Sequence, residues 1–104
     1  MGPWTRPVSI PDDVDEPGIV KVAGVVELPS WVRWSGPPRR YDLRNRTDRA
    51  LVYEQVLSEG TDDDVRTFVV VADLVELWDD LVLPGYVRRA WADWLERRGI
   101  SVSC

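Results

Sequence analysis

Pro84-Gly-Tyr-Val-Arg-Arg-Ala-Trp-Ala-Asp-Trp-Leu-Glu-Arg-Arg-Gly99 is the stretch on which the fold class turns. Its apolar residues Val87, Ala90, Trp91, Trp94 and Leu95 recur at the i, i+3, i+4, i+7, i+8 spacing of one helical face. Pro84 suits a first helical turn, Arg97 and Arg98 suit the negative C-terminal end, and Gly99 supplies a stop. A helix with one apolar face needs other helices to cover it.

Upstream, the same period continues. Thr61 opens a helix whose first turn holds Asp62, Asp63 and Asp64, where carboxylates meet the positive end of the helix dipole. Phe68-Val-Val-Val-Ala72 is apolar all round and is expected deep in the core, with Asp73 restarting or continuing the helix through Leu74, Leu77, Trp78 and Leu81. A further helix is expected from Thr47 or Asp48 as cap, through Ala50, Leu51, Tyr53, Val56 and Leu57, to Gly60. Residues 18–28 are rich in β-branched side chains between Pro17 and Pro29 and read as a strand, and Arg39–Leu43 as a second short one. The fold class is therefore mainly α: a small bundle of three to four short helices with a minor N-terminal β element.

Residues 1–17 carry Pro3, Pro7, Pro11 and Pro17 with an acidic cluster and are expected to form a flexible arm; 18–99 form the single domain, and 100–104 a frayed C-terminus. With 104 residues and a 44% apolar share, one modest core is all the chain can build. No apolar run reaches the roughly 20 residues of a membrane span, and no secretory h-region opens the chain, so a cytoplasmic location without membrane contact is expected.

The residue inventory excludes much chemistry. There is no histidine, and Cys104 is the one cysteine, so Ser-His-Asp and Cys-His arrangements and an internal disulfide framework are excluded. No phosphate-binding glycine loop or paired-cysteine metal motif occurs. Three consecutive aspartates on a helix point in different directions, so the 62–64 triplet reads as capping rather than as a metal site. No catalytic activity, cofactor or metal is expected.

What remains is binding. The net charge of −5 hides a division: residues 31–50 carry six arginines against two aspartates, whereas 51–83 carry Arg66 alone against nine carboxylates. The basic segment either neutralises the acidic helices within the fold or docks elsewhere. Tryptophan and arginine dominate binding hot spots. Trp4, Trp31 and Trp34 lie outside the helical periodicity, and with Arg39, Arg40, Tyr41, Arg44 and Arg46 they form the candidate partner-binding set. Trp4 either hooks a partner or packs back on its own domain. Trp91 and Trp94 belong to the core face.

Trp34-Ser-Gly-Pro-Pro-Arg-Arg-Tyr-Asp-Leu43, the run Asp48-Arg-Ala-Leu-Val-Tyr-Glu-Gln-Val-Leu-Ser-Glu-Gly60, and Leu77-Trp-Asp-Asp-Leu-Val-Leu-Pro84 leading into Val87-Arg-Arg-Ala-Trp91 carry a resemblance. Over about residues 28–98 the chain resembles small actinobacterial proteins encoded beside nucleotidyltransferase toxins of the abortive-infection type. That resemblance implies an antitoxin, whose protein partner transfers nucleotides onto RNA and needs a basic pocket for triphosphate and RNA. No DNA-binding module accompanies it, which separates the chain from many antitoxins. The alternative readings are a nucleic-acid-binding regulator using the arginines of 33–49, and a non-catalytic subunit of another assembly.

Overall fold

The structure is a computed structural model that describes residues 8–28 and 40–102. In chain order the described elements are β1 (Val25–Glu27), β2 (Arg40–Asp42), α1 (Arg46–Glu59), α2 (Asp62–Phe68), α3 (Val71–Leu77), a 3₁₀ turn (Trp78–Asp80) and α4 (Gly85–Arg97). β1 and β2 pair antiparallel, with Val26 opposite Tyr41. The mainly helical class with a small β element is what the structure shows.

β2 leads into α1 through one side-chain exchange. Asn45, with extended backbone, accepts the Asp48 N–H and is the cap, while Asp48 Oδ2 accepts the N–H of Asp42. The cap expected at Thr47 or Asp48 thus lies earlier, because the Asp48 carboxylate is occupied in tying strand to helix. Thr61 caps α2 as expected, in a complete capping box: Asp64 accepts the Thr61 N–H at 2.9 Å and Thr61 Oγ1 accepts the Asp64 N–H.

The apolar run Phe68–Ala72 is not uniformly deep. Val69 and Val70 are extended and separate α2 from α3, and Ala72 is exposed. Three β-branched residues in a row resist continued helix, and Tyr53 Oη accepts the Val70 N–H that the interrupted helix leaves free. The strand expected over 18–28 is likewise shorter. Gly24 has φ +77°, a left-handed conformation that ends the ladder, and residues before it turn towards α2, where Val22 donates to the Thr67 carbonyl. Val20 stands exposed.

The core is contiguous: Val52, Val56, Val65, Leu74, Trp91 and Leu95 are fully enclosed. The face read on α4 is the one that is buried, with the Trp91 and Trp94 rings edge to face at 5.6 Å. Beyond α4, Gly99 (φ +82°) donates to Glu96 and Ile100 donates to Leu95, the two bonds of a Schellman stop. Ile100 and Val102 pack against the core, so the fraying expected from 100 does not extend to them.

The flexible arm expected over 1–17 is corrected over its described part. Val14 is fully buried, and Val8 and Ile10 pack on the core. Four polar attachments hold the segment: Arg66 to Asp13 (2.8 Å), Arg98 to Asp15 (3.1 Å), Arg98 to the Asp12 carbonyl, and Lys21 Nζ bridging the Val14 and Arg66 carbonyls. A few apolar side chains suffice as anchor because basic residues distant in sequence meet the acidic cluster around them. Among the described residues no helix is long and apolar enough to cross a membrane.

Candidate binding surface

Of the residues singled out for partner binding, Trp4, Trp31, Trp34 and Arg39 lie outside the described residues. The four others do not form one free cationic patch. Tyr41 is buried, and its hydroxyl accepts the Gln55 amide N–H at 3.2 Å. It is a core residue, corrected from the contact set, because the β2 pleat turns it towards α1. Arg40 lies 3.7 Å from Glu27 across the β ladder, with both side chains exposed.

Arg44 grips Asp42 through its backbone N–H and its guanidinium, at 2.9–3.2 Å. That hydrogen bonding from Arg44 holds the Asp42 carboxyl below the usual carboxylate range. Arg46 reaches across from the start of α1 to the 3₁₀ turn: its guanidinium donates to Asp80 Oδ2 at 2.8 Å, to Glu76 Oε1 at 3.4 Å and to the Glu76 carbonyl. The Asp80 hydrogen bond raises the Arg46 pKa further. Neutralisation within the fold, one of the two readings of the basic segment, is therefore realised at Arg40, Arg44 and Arg46.

Among the described residues two acidic depressions lie on the helical half, and neither was read from the sequence. The larger, about 650 Å³, opens where α1 meets α2 and is lined by Ser9, Glu59, Asp62, Asp63 and Arg66. Asp62 and Asp63 are exposed there, and Arg66 bridges Asp63 and Asp13. The second is a groove of about 270 Å³ between α1 and the 3₁₀ turn, lined by Arg46, Thr47, Ala50, Leu51, Glu54 and Asp80. Glu54 is 8% exposed, and its Oε2 accepts the N–H of Val82 at 2.9 Å. Its signal in the sequence was a carboxylate set between Tyr53 and Val56 in the apolar stripe of α1. Among the described residues no three carboxylate or cysteine side chains converge as metal ligands would.

Arg40, Arg44 and Arg46 are exposed but each pairs with a carboxylate of the chain, and the helical half from 51 to 83 keeps an excess of carboxylates, nine against Arg66. No protein-family model matches the chain, and neither a curated protein nor a solved structure does.

Proposed function

We propose that the protein is a cytoplasmic, antitoxin-like binding protein that neutralises a nucleotidyltransferase toxin by covering its active site. The observation that carries this reading is the charge arrangement. Residues 51–83 hold nine carboxylates against Arg66, and Asp62, Asp63, Glu76 and Asp80 in that segment are exposed, so that even with Asp63 beside Arg66 and Glu76 and Asp80 beside Arg46 the segment keeps a negative excess. An enzyme that binds triphosphate and RNA presents a positive pocket, and an acidic surface is steered to it and competes with phosphate there. The resemblance over residues 28–98 points to the same partner.

The reading as a nucleic-acid-binding regulator is weaker, since Arg40, Arg44 and Arg46 each face a carboxylate of their own chain and the mean field repels phosphate. The test is reconstitution with an abortive-infection-type nucleotidyltransferase from the same genome, following nucleotide transfer to tRNA. Inhibition saturating near one chain per enzyme, with a complex that co-elutes, is expected. Undiminished transfer with excess chain and no complex at micromolar concentrations would overturn the reading.

A further inference from the structure

The groove between α1 and the 3₁₀ turn combines three features that belong together in the recognition of a cationic side chain. First, its wall is short and partly apolar, from Ala50 and Leu51 on α1, and can cover the methylene stem of a long side chain. Second, Glu54 lines the groove while more than nine-tenths buried. Its Oε2 is engaged by the Val82 N–H, and its Oε1 has no partner among the described residues. Oε1 is not a sealed orphan but opens on the groove, where a half-dehydrated carboxylate oxygen is free to accept from a cation. Third, the guanidinium of Arg46, which lines the groove, is held by Asp80 and Glu76 and forms no bond to Glu54.

We infer that this groove is a docking site for an arginine side chain of the protein partner, with the guanidinium on Glu54 and its stem against Ala50 and Leu51. Arginine is favoured over lysine because its guanidinium offers several donors in one plane to a groove lined by both Glu54 and Asp80, the use to which Arg46 already puts its own on Asp80 and Glu76. The inference deepens the antitoxin reading by naming the partner's recognition element, and rests on that reading only for the occupant being a protein.

The experiment uses the full chain, isotope-labelled, titrated with the peptide acetyl-Gly-Arg-Gly-amide and with its citrulline counterpart, which keeps the shape and loses the charge. Saturable amide shifts centred on Ala50, Leu51, Glu54 and Val82 are expected, with affinity about tenfold weaker for citrulline. Glu54→Gln keeps an oxygen for the Val82 N–H and should weaken the arginine peptide by about the same factor. Ala50→Leu, which narrows the groove and leaves Glu54 in place, should also weaken it and covers the case in which Glu54→Gln does not fold. Equal affinity for citrulline, shifts of the same size at Asp62 and Asp93, or groove shifts that depend on chain concentration without peptide, as a second copy would give, overturn the inference. Failure of this inference and of the antitoxin reading are separable. A chain that binds the peptide but no nucleotidyltransferase keeps the groove and loses the function. A Glu54→Gln chain that inhibits the toxin like wild type keeps the function and loses the groove.

Discussion

Tyr53 shows how much one side chain can decide in a domain of this size. It is 2% exposed on α1, and its hydroxyl closes the backbone break between α2 and α3 by accepting the Val70 N–H at 2.9 Å. Tyr53→Phe leaves that N–H without its partner, which should cost about 1–3 kcal/mol in denaturant unfolding. Burial also pushes the Tyr53 phenol up from 10.0 to about 12. Because the folded value lies above the unfolded one, the stability tied to the neutral phenol is complete below pH 10 and is lost as pH rises towards 12. Denaturant midpoints measured at pH 8, 10 and 11.5 should show that alkaline loss in the wild type and a smaller one in Tyr53→Phe. Trp91 makes a different point. Its ring is fully buried while its indole N–H has no partner among the described residues. Trp91→Ala should cost about 3–5 kcal/mol. Trp91→Phe should cost clearly less by thermal melting, since it retains a ring and removes an unpaired donor.

At the scale of elements, α2 and α3 have seven residues each, too short to persist alone, so their ends matter as much as their faces. Thr61→Val removes the side-chain half of the capping box and should destabilise by about 1 kcal/mol. The comparison variant Thr61→Ser, which keeps the hydroxyl, should melt within a degree or two of wild type. The segment from Pro11 to Lys21 is the element most dependent on charge. Arg66 holds the Asp13 carboxyl below its ordinary 3.8 by a side-chain hydrogen bond. A lowered folded value means that the contribution of this pair is present above pH 3.8 and is lost as pH falls further. Amide exchange of residues 11–16 should therefore accelerate selectively below about pH 4, and also in molar salt at neutral pH, where exposed ion pairs are screened. Lys21→Gln should give the same loosening at neutral pH, because Lys21 Nζ joins Val14 to α2. Uniform exchange across the whole chain in these variants would show that the segment is not a separable unit.

At the scale of the molecule, a small domain has only about 5–10 kcal/mol of net stability. A Trp91→Ala chain should accordingly lose a large share of that stability, and under the proposed function any loss of toxin binding would report folding rather than contact. Charge acts differently. Replacing Arg40, Arg44 and Arg46 by glutamine removes surface ion pairs worth little individually, so melting should change by only a few degrees. The resulting chain is more acidic, and if the proposed function holds its association with a basic toxin should become faster at low salt. Slower association, read by stopped flow, would return those arginines to the binding surface. Wild-type chain that binds RNA tightly at low salt would favour the regulator reading instead.

Features that depend on neighbours within a turn or two are legible in the order of the residues. The α4 face from Val87 to Leu95, the stop at Gly99, the Thr61 cap with its acidic first turn and the mainly helical class are all carried by local spacing and by backbone groups a few residues away. Tertiary structure alone decided the rest. Lys21 lies 45 residues from the Arg66 carbonyl it binds, and Arg98 lies 83 residues from Asp15, so residues 8–17, the described part of what reads as an arm, pack on the domain. Arg46 met Asp80 across 34 residues, which turned a candidate contact cation into an internal pair. The Glu54 groove exists only because Val82 and the 3₁₀ turn are brought against α1. Periodicity records which side of an element avoids water; it carries no record of which distant polar group will arrive there, and that pairing is settled only when the faces close.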